Sequence, residues 1–112
     1  FCELIRSLAL RGIDMLFMVS QWPLVRTSHI VTLTKARAIE NQMFVVCCNS
    51  CGKTPDAVFG GHSQIIDPWG EVLGAAGEKQ EVITADCDFG TIKDIRNSIN
   101  VFNDRKPDLY EL

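Results

Sequence analysis

The chain has 112 residues, 46% of them hydrophobic and 22% charged, with a formal net charge of −3. That is enough for one small domain of ordinary globular composition. Its charges are interspersed, which excludes a clustered basic footprint for nucleic acid, and no apolar run approaches the roughly 20 residues of a membrane-spanning helix. The cysteines, Cys2, Cys47, Cys48, Cys51 and Cys87, are odd in number. Two of them lie in an apolar run, which argues for a reducing, cytoplasmic setting rather than a disulfide framework. Phe1 opens directly into a helical pattern, so no signal peptide is expected and the chain is expected to begin in mid-domain.

Cys2 to Arg11 reads as a helix, with Leu4, Ile5 and Leu8 on one face and Gly12 as the stop. Met15 to Val19 is a continuous apolar strand. Ser20 to Pro23 is the loop at its C-terminal end, the edge where open α/β sheets gather ligands. A second helix is expected from Val25 to Asn41, with Ile30, Leu33 and Ile39 as core contacts. Asn41 and Gln42 break it, and Met43 to Cys48 follows as an apolar strand covered on both faces. Helix, strand, helix, strand implies parallel pairing through a crossover. Asn49 to Gly61 reads as one long loop and His62 to Ile66 as a strand. Asp67-Pro68-Trp69-Gly70 fits a type I turn, and Glu71 to Leu73 its hairpin partner. After a second turn region, Gly74 to Gln80, the residues Glu81 to Cys87 read as a strand. Asp88 or Thr91 then caps a short helix carrying Ile92, Ile95 and Ile99. The tail from Val101 to Leu112 lacks periodicity and is expected to pack on something outside this unit.

Few residues carry a chemical signature. His29 and His62 have no metal-binding spacing, and no phosphate-binding loop occurs, so neither metal nor cofactor is expected. Gly60-Gly61-His62-Ser63 lacks the second glycine of a nucleophile elbow. Cys48-x-x-Cys51 has metal-knuckle or redox spacing without a second pair; the alternative is buried apolar cysteine. Cys2 near a helix start has the setting of an activated thiolate, a weak signal alone. Trp22 and Arg26 flank Pro23 at the mouth of the first strand. They form either a ligand wall, with Arg26 for a carboxylate, or a surface aromatic beside a solvated arginine. Arg37 and Glu40 share a helix face and pair, either as a solvated face or as a buried network. If the pair is buried, removing one partner should cost roughly 3–5 kcal/mol.

Several segments, in order, carry a resemblance: Phe1-x-Glu3-Leu4-x-Arg6, Gln21-Trp22-Pro23-x-x-Arg26-x-x-His29, Ala36-Arg37-Ala38-Ile39-Glu40-Asn41-Gln42, Asn49-x-x-Gly52, Gly61-His62-Ser63, Asp67-Pro68-Trp69-Gly70-Glu71-Val72-Leu73 and Asp104-Arg105-x-Pro107-x-Leu109-Tyr110. Together they resemble the C-terminal half of the carbon–nitrogen hydrolase (nitrilase) superfamily, across essentially the whole chain. The Q-W-P-x-x-R segment is most similar to the bacterial ω-amidase branch, which acts on ω-amides of dicarboxylates such as 2-oxoglutaramate. Two features depart from the pattern. Ile30 follows His29 where relatives often carry Trp, and the Cys47, Cys48 and Cys51 cluster is not a family feature.

The resemblance implies an α/β fold, half of a four-layer αββα sandwich, with residues 1–112 a portion of a single hydrolase domain. It implies a Glu–Lys–Cys site in which the cysteine attacks an amide carbon, forms a thioester and releases ammonia. Phe1-Cys2-Glu3 matches the last three positions of the nucleophile motif C-Y-D-[IL]-R-F-P-E. Cys2 therefore falls where the family has Pro, and the nucleophile is expected just before Phe1, with the base and lysine further upstream. No catalytic residue is then assigned to this chain, and the fragment alone is expected to be inactive. Gln21, Trp22 and Arg26 become substrate-pocket residues and Arg37 with Glu40 structural support. The implied partners are a small amide, the remainder of the chain's own polypeptide and a homodimer mate across the first two helices. Another amidase or N-carbamoyl hydrolase of the superfamily, or a non-catalytic structural homologue, is the alternative.

Overall fold

A computed structural model describes residues 1–109. Its elements are α1 (Cys2–Leu10), β1 (Met15–Ser20), a 3-10 turn (Leu24–Arg26), α2 (Thr27–Asn41), β2 (Phe44–Asn49), β3 (Cys51–Lys53), β4 (Val58–Gly60), β5 (Gln64–Ile66), β6 (Val72–Ala75), α3 (Gly90–Ser98) and a 3-10 turn (Pro107–Leu109). The main sheet has the order β1-β2-β5-β6. β1 and β2 are parallel, joined by the α2 crossover, while β5 and β6 add antiparallel. This is the α/β architecture expected.

α2 ends because Gln42 adopts a left-handed conformation, φ +47°, and its side chain donates to Ile99 O at 2.7 Å. The chain turns there, and Met43, Phe44 and Val45 go straight into the core. Ala9, Ala38, Met43, Val45 and Ile66 form that core, with Leu16 and Met18 of β1 packed against it. Helices α1 and α2 thus cover one face of the sheet.

The other face is open. Strand side chains alternate with a period of two, so Phe17 and Val19 point away from the helices and are 69% and 87% exposed. Their cross-strand neighbours are Val46 and Cys48, and Cys48 is exposed. The expectation that β2 is covered on both faces is therefore corrected. Glu81, Val82 and Ile83 border this face beside Val46 and Cys48, and Phe17 and Val19 stay open.

Four further expectations change. Leu33 and Ile39 are substantially exposed, and the inward stripe of α2 is Ile30, Thr34, Ala38 and Asn41. Thr34 is tolerated because its hydroxyl donates to Ile30 O at 2.7 Å and accepts from the buried Gln64 amide of β5. Residues 49–61 contain the antiparallel β3–β4 hairpin rather than one structureless loop. Glu81 to Cys87 is extended, with alternate residues inward, but forms no ladder among the described residues. It passes Gly74 of β6, where a Cβ would meet Thr84 O at 3.5 Å, without pairing. Finally, the tail does not all leave the unit. Phe102 returns to the core, with the guanidiniums of Arg6 and Arg96 each 5.3 Å from its ring centroid. Tyr110, the last residue of the tail motif, lies outside the described residues.

The Asp67 turn forms as expected. Asp67 Oδ1 accepts from the Trp69 and Glu71 amides at 2.9 and 2.8 Å, and Gly70 N–H closes onto Asp67 O at 3.0 Å. Asp88 does the equivalent for α3, accepting from Gly90 N–H at 2.8 Å.

Cys47 and Cys48 sit on opposite faces of one strand, and their reactivity should differ accordingly. Burial pushes the Cys47 thiol above its ordinary pKa. Its contribution to stability is full below the unfolded thiol's pKa and is lost as pH rises through the raised one. Iodoacetamide should label Cys2 and Cys48 well before Cys47 in the folded chain, as read by peptide mass. Equal rates at all three would mean that β2 is not seated on the helices.

Candidate functional site

Parallel pairing brings the C-terminal ends of β1 and β2 side by side, and the last matched pair is Ser20 with Asn49. Past that pair Ser50 N–H donates to Ser20 O at 3.0 Å, and Gly60 N–H to Trp22 O at 3.1 Å. Pro23 bridges Phe59, so the β3–β4 hairpin is sewn to the side of the 20–23 loop. Gly61, with φ +63°, lets the chain leave this hairpin; a Cβ there would run into Gly77 O.

On this platform stand Trp22 and Arg26. The Arg26 Cζ lies 4.8 Å from the Trp22 ring centroid, and Nε donates to His29 Nδ1 at 3.1 Å. The 3-10 turn closes through Arg26 N–H to Pro23 O at 2.9 Å. Trp22 is half-buried while Arg26 is exposed, so the guanidinium is held by an aromatic face and still meets solvent. Gln21 is exposed in the adjoining loop. The structure thus brings Trp22 and Arg26 together with Gln21 beside them.

Asn49 is the residue that motif reading left without a role. It is 6% exposed. Its Oδ1 accepts the Trp22 amide at 2.8 Å and the Ser20 hydroxyl at 3.3 Å. Its Nδ2 donates to Gly61 O at 2.8 Å and to Trp22 O at 3.4 Å. Its own amide donates to Ser63 Oγ at 3.0 Å. A polar residue ending an apolar strand, opposite Ser20, was the available signal.

Arg37 and Glu40 lie near the other end of α2, about 16 Å of helix from Arg26 at the usual rise. They approach to 2.7 Å, with side chains 14% and 38% exposed. The contact is a close charge pair without aligned hydrogen-bond geometry, since Arg37 Nη1 has no hydrogen-bond acceptor. Nearby, Arg6 Nη2 donates to Glu40 O at 2.7 Å, tying α1 to the end of α2. The pair belongs to the helix junction, not to the Trp22 platform.

All five cysteines are free. Cys2 is exposed on the first turn of α1. Burial pushes the Cys87 thiol up, as does the neighbouring Asp86. Among the described residues no cluster of His, Cys, Asp and Glu is placed to hold a metal ion, and no helix is long and apolar enough to cross a membrane. A cavity of about 230 Å³ between Ile39, Trp69, Ile95 and Ile99 is apolar and lacks acid–base groups.

The Carbon-nitrogen hydrolase family profile matches residues 1–97. The 2-oxoglutaramate amidase of Bacillus subtilis (strain 168) is 46% identical over 110 residues, covering 98% of this chain and 42% of its own. The crystal structure of the C. elegans NitFhit protein superposes with TM-score 0.93 at 35% identity, over 99% of this chain and 27% of that one. A mutant amidase from Nesterenkonia sp. AN1, with the acetamide moiety of fluoroacetamide added covalently at its active-site cysteine, superposes with TM-score 0.75 at 28% identity. That match covers 92% of this chain and 39% of that one. The chain spans about two fifths of the length of these two amidases.

The unequal exposure of Arg37 and Glu40 makes their removal unequal. Glu40→Gln strands a mostly buried guanidinium and should cost about 1–3 kcal/mol in urea unfolding. That is below the penalty for a wholly buried pair, because water reaches Glu40. Arg37→Met leaves a carboxylate that water can solvate and should cost less than about half as much. Equal losses would mean that the two charges share one environment.

Proposed function

The chain belongs to the carbon–nitrogen hydrolase family, and from that premise we propose that the whole protein hydrolyses the terminal amide of a small dicarboxylate ω-amide such as 2-oxoglutaramate. Residues 1–112 are then one portion of a single hydrolase domain. The open face carrying Phe17 and Val19 is where the remainder of the polypeptide packs. A thiol adds to the amide carbon, the C–N bond breaks, and nitrogen leaves as ammonia with the thiol's proton. Water then cleaves the thioester, giving the carboxylate and regenerating the thiol. The covalent adduct at the active-site cysteine of the Nesterenkonia relative supports a cysteine as the nucleophile. The attacking cysteine, with its glutamate base and lysine, would lie before Phe1.

The observation that carries the substrate class is the exposed Arg26 guanidinium, held over Trp22 at the C-terminal end of a parallel strand. A planar fork there suits the distal carboxylate of a dicarboxylate half-amide, with Trp22 and Gln21 beside it. The exposed apolar residues Leu4 and Leu10 of α1 and Leu33 of α2 suit a homodimer contact on the outer helical layer.

In the whole enzyme, ammonia release from 2-oxoglutaramate or succinamate should be measurable. Arg26→Ala should raise KM for succinamate about 10–100-fold, as loss of a charge-assisted pair implies, and barely affect butyramide, which lacks the carboxylate. Turnover of a nitrile or an N-carbamoyl amino acid instead, or an unchanged succinamate KM, would overturn the assignment. Cys2→Ser should leave turnover intact; its abolition would place the nucleophile in this chain after all.

A further inference from the structure

We propose that Asn49 is a positioning residue for the substrate pocket: its buried carboxamide sets where Trp22, and through it Arg26, stand. The inference rests on the pocket reading given above for those two side chains. A carboxamide offers two acceptor lone pairs and two N–H donors. In Asn49 all four are used, on Trp22 N–H, the Ser20 hydroxyl, Gly61 O and Trp22 O. Both backbone polar groups of Trp22 are therefore gripped by one side chain. That grip begins where the β1–β2 ladder ends, at Ser20 opposite Asn49. The same side chain reaches Gly61, next to the hairpin strand whose Gly60 N–H binds Trp22 O from the other side. Trp22 is thus located relative to β1, β2 and β4 together, and its ring is the face on which Arg26 rests at 4.8 Å.

Other side chains cannot reproduce this pattern. Aspartate keeps both acceptor contacts but presents a carboxylate, with no proton, to Gly61 O and Trp22 O. Alanine leaves the Trp22 N–H and Gly61 O without their partner, while Trp22 O keeps only Gly60 N–H. Glutamine is one methylene too long for a buried site this close to the backbone.

The test uses the whole enzyme labelled with 5-fluorotryptophan. The Trp22 resonance is identified by its loss in Trp22→Phe. Trp69 lies past β5, at the opposite edge of the sheet, and serves as the internal control. In Asn49→Ala the Trp22 signal should shift or broaden while that of Trp69 stays. KM for succinamate should rise about tenfold with kcat within about threefold, because the carboxylate clamp and not the reacting thiol is displaced. Asn49→Asp should move both readouts the same way by less, and it carries the comparison if the alanine variant does not fold. An unmoved Trp22 signal, or an unchanged succinamate KM in an enzyme where Arg26→Ala does raise it, overturns the proposal. So does a joint fall of kcat with both tryptophan signals displaced, which is the signature of general loosening. If Arg26→Ala itself leaves KM unchanged, the pocket reading fails and the inference fails with it.

Discussion

Where the β1–β2 ladder runs out, hydrogen bonding passes from backbone to the Asn49 side chain. Up to Ser20 and Asn49 the two strands hold each other by parallel pairing. Beyond that point the backbone of Gln21 and Trp22 must turn away from the sheet, and its polar groups need new partners. One carboxamide supplies two of them and adds Gly61 O. The backbone polar groups of an irregular loop are thereby paired by a side chain. Such anchoring is what a side chain needs if it is to meet a ligand at a fixed place. The platform under Trp22 and Arg26 exists because this handover is complete.

The period of the strands decides what the rest of the surface can do. Helices α1 and α2 take Leu16, Met18, Val45 and Cys47; the pleat then has no choice but to send Phe17, Val19 and Cys48 the other way. Each large apolar side chain left in water forgoes about 1.5–3 kcal/mol of burial. A face of this composition is built to be covered. The open face, the 20–23 loop and the β3–β4 hairpin meet at the edge that carries Trp22 and Arg26, so on the proposed reading whatever covers the face would also wall the substrate pocket on one side.

Apolar runs made β1 and β2 legible, the Asn41-Gln42 break marked the end of α2, and the Asp67 turn was legible because one carboxylate organises it locally. What escaped was non-local. Leu33 and Ile39 look like core positions by residue type, yet the helix sets Thr34 inward instead, where its hydroxyl donates to Ile30 O and accepts from Gln64, thirty residues on in the chain. The β3 and β4 strands are three residues each, too short for a periodic signal, and exist through their pairing. Glu81 to Cys87 has strand-like alternation without a backbone ladder among the described residues, and alternation alone does not make a ladder. At the site, Trp22 and Arg26 were visible as a strand-mouth pair. Asn49 was not, because its importance lies in whom it touches.

The choice of arginine over lysine at position 26 follows from the same geometry. A guanidinium is planar and weakly hydrated, so it can lie against the Trp22 ring and give one edge to His29 while its remaining N–H groups stay available. An ammonium would concentrate its charge at one strongly hydrated point and forfeit either the ring contact or the ligand. The stacked fork is also pre-paid in entropy, because the indole, the imidazole and the Pro23 turn have already limited its rotamers. A carboxylate arriving at this edge would meet two parallel donors held in place rather than a freely waving cation. On the proposed reading, selection between a charged ω-amide and a neutral amide would be a property of how well Trp22 is anchored, and specificity would trace back to the buried Asn49 carboxamide.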